Sequence, residues 1–196
     1  MKTALITHAD GLRHVTPQGH PERVARLEHV LHALDPLDLN RVTAPLAADD
    51  DILRCHPADY IADLKDALPE DGIVQVDGDT FLSPGSLDAA YRAVGAALRG
   101  VDMVLGGEAP NAFAAVRPPG HHAETRTAMG FCIFGSVAIA AKHALDHHGL
   151  SKVAVVDFDV HHGNGTQDLL WAESRTLFIS SQQIPLFPGT GRANET

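Results

Sequence analysis

The segment Lys152-Val-Ala-Val-Val-Asp-Phe-Asp-Val-His-His-Gly-Asn-Gly165 decides the fold. Its first part, Lys152 to Val156, is a short run rich in β-branched apolar residues, which predicts a buried strand. Polarity then switches abruptly. Asp157, Asp159 and His161 alternate along an extended chain and so share one face at the strand end. A second segment has the same design: Asn111 to Val116 is an apolar strand that breaks at Arg117-Pro118-Pro119-Gly120 and delivers His121 and His122 immediately afterwards.

Working outward, Ala4 to Ile6 and Thr176 to Ser180 also have strand character, with a weaker strand around Arg41 to Leu46. Val24, Leu27, Val30, Leu31 and Leu34 recur at helical spacing, predicting an amphipathic helix over 22–34 that Pro36 stops. Acidic Asp49 to Asp51 mark a helix start, and a helix is expected over 57–68. Residues 69–79 are turn-rich. Ser83 as N-cap and Pro84 as first helical residue predict a helix ending at Gly100. Further helices are expected over 131–145, with an irregular start, and over 168–171. Strands alternating with helices define an α/β class with a mainly parallel sheet, whose carboxyl edge gathers the strand-end loops where ligands bind.

The chain has 196 residues, enough for one domain or the larger part of one. With 44% apolar and 20% charged residues it is globular, which excludes a disordered or collagen-like chain. No apolar run approaches the roughly 20 residues that span a bilayer, so no membrane partner is expected. The stretch from Met1 to His8 is too short in apolar residues for a secretory signal. Cys55 and Cys132 do not make a disulfide framework, so a reducing cytoplasm is the default location. Fifteen basic against 25 acidic residues leave a net charge of −10, which argues against nucleic acid as a partner. Nothing in the composition fixes the oligomeric state, and a homo-oligomer is allowed.

Histidine is the compositional outlier, with 13 in all and adjacent pairs at 121–122, 147–148 and 161–162. Carboxylates and an imidazole at Asp157, Asp159 and His161 suit a divalent transition metal with coordination positions left open; a surface turn whose acids cap a helix is the plainer alternative. His121 and His122 suit acid–base work or metal ligation, or no more than a polar loop. His147 and His148 precede Gly149 at a helix end, where histidine complements the dipole, and count as structural or solvated. Cys132 sits in an apolar setting and is a packed thiol.

Taken together, Arg117-Pro-Pro-Gly-His-His-Ala-Glu124, Gly130-Phe-Cys132, Asp157-Phe-Asp-Val-His-His-Gly-Asn-Gly165 and Phe187-Pro-Gly-Thr-Gly191 resemble the zinc-dependent histone deacetylase family. That family includes bacterial acetylpolyamine amidohydrolases and deacetylase-like amidohydrolases. His14-Val-Thr-Pro17 and Gly19-His-Pro-Glu-Arg23 resemble the first loop of its class II-like branch. The resemblance implies a three-layer α-β-α arginase/deacetylase-like fold and a hydrolase acting on acetyl-lysine or acetylpolyamine-type amides, with a small-molecule or peptide substrate. It further implies that Asp159 and His161 are zinc ligands and that His121 and His122 are the acid–base pair, with Asp157 and Asn164 as their partners. Phe131 and Phe187 match the tunnel walls and Arg23 an arginine of the inner cavity. A structural potassium ion is implied at Asp157, Asp159, His161, Ser180 and Ser181.

The family's third zinc ligand, an aspartate, and its oxyanion-stabilising tyrosine both follow the Phe-Pro-Gly-Thr-Gly motif. Only five residues follow Gly191, and none is Asp or Tyr. Tyr60 and Tyr91 lie upstream and do not match. The expectation is therefore that residues 1–196 are the N-terminal part of a single deacetylase-like domain, inactive alone. Its C-terminal strands, the two that lie centrally in the family's sheet, are missing. Two other readings compete. One is a non-catalytic fragment or interaction module. The other is a metal-dependent phosphoesterase, on the literal string Asp146-His147-His148.

Overall fold

Alternation along the first strand sets the layering. The computed structural model describes residues 1–193 and 195. In β1 (Ala4–Thr7), Ala4 and Ile6 face one way and pack with Ala96 and Met103 of α4 (Ser86–Leu105). Leu5 faces the other way and packs with Leu27 of α1 (Val24–Leu34). Helices thus cover both faces of a parallel sheet of order β2-β1-β5, with β2 spanning Asn40–Thr43 and β5 Ala112–Ala114. The first helical elements after β2 are α2 (Asp49–Ile52) and α3 (Ala58–Ala67). The second parallel piece pairs β6 (Val153–Asp157) with β7 (Thr176–Ser180), flanked by α5 (Ser136–Asp146) and α6 (Asn164–Leu170).

The two pieces do not hydrogen-bond to each other. Between β5 and β6 lies an apolar groove of about 380 Å³, floored by α4 and α5 and lined by Ile6, Gly100, Val104, Ala112, Ala144 and Val153. The strand edges bordering it are open. Consequently β6 is not the buried strand its composition predicts: Val155 is buried, whereas Val156 is 61% and the following Phe158 88% exposed. Phe113 of β5 is 50% exposed for the same reason.

Three other expectations are corrected. Residues 69–79 contain β3 (Val74–Asp77), which forms an antiparallel hairpin with β4 (Thr80–Leu82). Ser83 does not cap α4; its Oγ accepts from the Val15 amide at 2.9 Å and donates to the Arg13 carbonyl, so the helix begins at Ser86 with Gly85 at the N-cap. Nor does Gly100 end that helix. It continues to Leu105, because buried Met103 extends the apolar face. Gly100 passes close to the Ala112 side chain.

The polar loop before α1 is ordered by a buried ion pair. Arg117, at the end of β5, is 1% exposed and binds Glu22, 2% exposed, through two bonds: Nε to Oε1 at 2.6 Å and Nη2 to Oε2 at 2.7 Å. Its third donor, Nη1, reaches the Gly11 carbonyl at 2.8 Å. Glu22 also accepts from Arg26 at 3.0 Å. Removing one partner of such a pair leaves a charge without a counterion in a dry site, at a cost of about 3–5 kcal/mol. Glu22→Gln should therefore lower the stability from urea unfolding by several kcal/mol, while Arg26→Ala, which removes a half-exposed arm, should cost less. Equal, small losses in both variants would show that the buried pair does not organise this loop.

Candidate active site

Two strand ends and three loops build one cavity of about 300 Å³. The loop after β5 contributes His121 and His122, the loop after β6 contributes Asp159 and His161, and Phe131 and Phe187 close its sides. Close backbone approach brings the first two loops together. A Cβ on Gly165 would lie 2.3 Å from the Ala123 carbonyl oxygen, and Thr166 N–H donates to the His121 carbonyl at 3.1 Å. Gly130 has φ +56°, and a Cβ there would lie 2.4 Å from the His122 ring. Glycine is required at both positions.

Each histidine of the tandem pair is held at Nδ1. His121 bonds Asp157 Oδ2 at 2.9 Å, and His122 bonds Asn164 Oδ1 at 2.7 Å. Asn164 in turn donates to Glu124 Oε1 at 2.7 Å, which fixes its amide orientation. The two rings lie 3.9 Å apart between centroids. Anchoring at Nδ1 leaves Nε2 as the nitrogen for proton transfer. Burial, and then the neighbouring His121 ring, push His122 down to about 4, so it is a neutral acceptor at neutral pH.

Asp159 Oδ1 accepts from His161 N at 2.8 Å and lies 2.9 Å from His161 Nδ1. Burial raises both Asp157 and Asp159, but the hydrogen bonds each receives outweigh it and hold them below the usual carboxylate range. An adjacent carboxylate and imidazole are the donor types zinc takes. Among the described residues this pair gains no third ligand: the one triad with mutual ligand-atom distances within 4.8 Å lies elsewhere, at the end of α5. Ser180 ends β7 in register with Asp157; its Oγ is buried with no hydrogen-bond partner, and Ser181 N–H donates to the Asp157 carbonyl at 2.9 Å.

Phe131 adopts φ +70°, its ring meeting His20 edge-on at 4.7 Å; the Phe187 ring meets His122 edge-on at 5.0 Å. Arg23 does not belong to the cavity. It is exposed at the head of α1, where it precedes the first helical turn, and Arg26, one turn on, lines the cavity beside Glu22. Cys132 is a packed thiol, fully buried and pushed well above its ordinary range by that burial. Tyr60 and Tyr91 bond the Ile133 carbonyl and Asp49, away from the cavity.

Sequence reasoning passed over Glu22, Arg117, Glu124 and His162. His162 bonds Thr190 and Gln167, both at 2.8 Å, and so ties the Phe-Pro-Gly-Thr-Gly loop to α6. For Glu22 and Arg117 the available signal was a charged residue beside proline in a loop, since a charged residue is buried only with a partner.

The histone deacetylase domain family matches residues 20–196, and the chain belongs to that family. It is 43% identical to the histone deacetylase-like amidohydrolase of Pseudomonas aeruginosa over 86% of this chain and 44% of that one. It is 38% identical to a probable deacetylase of Archaeoglobus fulgidus over 100% of this chain and 55% of that one. The crystal structure of the HDA15 HD domain superposes with a TM-score of 0.92 at 33% identity, covering 98% of this chain and 59% of that one. The chain thus spans about half the length of the curated relatives it matches. No helix among the described residues is long and apolar enough to cross a membrane.

Three buried histidines give stability a pH dependence. His14, His56 and His122 are each lowered to about 4, burial being the largest cause. His56 shows why neutrality matters: its Nε2 accepts from Gly135 N–H at 2.9 Å, which a protonated ring cannot do. Unfolded histidine titrates near 6.5, so the unfolded chain takes up protons first as pH falls. Stability should be full above about pH 6.5 and decline toward pH 4, by up to about 1.4 kcal/mol per pH unit per histidine. The lowered carboxylates act only below 3.8. Urea midpoints measured from about pH 8 to about pH 4 check this. His56→Gln should flatten the decline, and a flat wild-type profile would contradict it.

Proposed function

We propose that this chain carries the amino-terminal part of the active site of a zinc-dependent deacetylase hydrolysing linear amides, acetyl-lysine or acetylpolyamine in type. The observation that carries the reading is the tandem pair His121–Asp157 and His122–Asn164, which shares one aromatic-sided cavity with Asp159 and His161. Asp159 and His161 would hold the metal, and their half-exposed carboxylate and imidazole suit it. Bound there, zinc supplies Lewis-acid polarisation of the amide carbonyl and of an attacking water. His122, kept neutral by burial, takes the proton of that water at Nε2 and returns it to the departing amine. His121, with Asp157 behind it, stabilises charge beside the reacting carbon. Phe131 and Phe187 shelter an uncharged alkyl stem. The unpartnered Ser180 hydroxyl suits a structural potassium ion, which Asp157, Asp159, His161, Ser180 and Ser181 would hold.

Residues 1–196 alone are proposed to be inactive, because two protein ligands do not complete a catalytic zinc site, and these usually have three. The open β5–β6 gap supports the same reading. The phosphoesterase alternative loses support, since Asp146 bonds Arg175 at 2.9 Å and His148 bonds Asp102, at the far end of α5.

The test is parallel assay of an acetyl-lysine peptide, an acetylpolyamine and a phosphodiester with zinc present. It uses residues 1–196 and a chimera extended by the carboxyl-terminal segment of a relative. The chimera should hydrolyse an amide and residues 1–196 should not. In the chimera, His122→Ala should retain zinc and lose about 10²–10⁴-fold in kcat, while Asp159→Ala should lose the zinc of this cavity. Comparable amide turnover by residues 1–196, or phosphodiester turnover alone, would overturn the reading.

A further inference from the structure

The last turn of α5 and the residues after it carry a histidine cluster that the proposed reaction does not use. His143 and His147 are separated by one helical turn, and His148 follows. One nitrogen from each ring lies within 4.8 Å of one from each of the others. The His143 and His147 rings stack at 4.7 Å and 10°, and His148 meets both edge-on. Asp102, in the last turn of α4, binds two of them: its Oδ1 lies 2.7 Å from His143 Nε2 and 2.7 Å from His148 Nε2.

A carboxylate only accepts, so both rings present Nε2–H to Asp102. In the neutral rings the lone pair is then on Nδ1. At His143 that atom is buried with no hydrogen-bond partner, and the residue itself is 7% exposed. A buried acceptor without a donor is costly. A carboxylate gripping one ring nitrogen while the other is left free is also the arrangement that orients histidines for a metal. The helix carboxyl end adds negative potential.

We infer that His143 and His148, oriented by Asp102, form with His147 a second metal site for a borderline divalent cation of the zinc, nickel and copper class. It joins the ends of α4 and α5. The site is separate from Asp159 and His161: Phe131 of the cavity precedes the start of α5, and the cluster sits at its other end, about 16 Å along an 11-residue helix. It does not rest on the deacetylase reading.

The experiment is calorimetric titration of Zn²⁺ alone into tag-free protein carrying Asp159→Ala, with circular dichroism confirming the fold. One equivalent should bind. Adding His147→Ala and His148→Ala, both at positions not fully buried, should weaken binding at least about 100-fold. Asp102→Asn should weaken it about 10–100-fold. Absence of binding in Asp159→Ala protein, or unchanged affinity after removal of both histidines, would overturn the assignment and leave a hydrogen-bonded helix end.

Discussion

The bidentate bond between Arg117 and Glu22 is the constraint on which the site depends. Both groups are almost fully removed from water, so each is tolerable only because of the other. The bond fastens the start of the histidine-bearing loop to Glu22, two residues before α1. From that point the chain continues through two prolines and a glycine to His121 and His122. The same carboxylate holds Arg26 at the cavity wall, and His14 lies 3.7 Å from it. Two loops with little regular structure of their own are thereby fixed to the sheet without contributing strands to it.

The second half of the site is joined to the first by loops rather than by strand pairing. β5 and β6 share no ladder, and their relative position comes from α4 packing on α5 and from the contacts of Gly165, Thr166 and Asp168 with residues 121–125. Asp159 and His161 therefore lie at an open strand edge, beside exposed Phe158 and Val160, whereas His122 and Asn164 are buried. The half that carries His122 and Asn164 is buried, and the half that carries Asp159 and His161 is half-exposed. The electrostatics follow the same division, with a neutral imidazole on one side and ionised carboxylates on the other.

What could be read from the sequence was whatever local pattern dictates. The strand β1 and the helix α1 follow from apolar periodicity, and the chemistry at 121–122 and 157–161 follows from polar residues placed abruptly after apolar runs. What could not be read depends on tertiary partners. Ser83 has the chemistry of a cap, but the Arg13–Val15 loop claims its hydroxyl. The hairpin β3–β4 is hidden by a turn-rich composition. Arg23 and Arg26 differ by one turn of α1, and only the helix start decides which faces the cavity. His148 looks solvated in sequence because Asp102, which bonds it and His143, is more than 40 residues away. The burial expected for β6 failed because pairing is not a property of one strand.

The most direct test of the account is the position of the metal. Anomalous diffraction at the zinc edge, on zinc-loaded crystals of the protein extended through the rest of the domain, locates it independently of activity. The account predicts a peak about 2.0–2.2 Å from a carboxylate oxygen of Asp159 and a ring nitrogen of His161, in the cavity shared with His122. Zinc-loaded crystals with no peak at these two residues would contradict it.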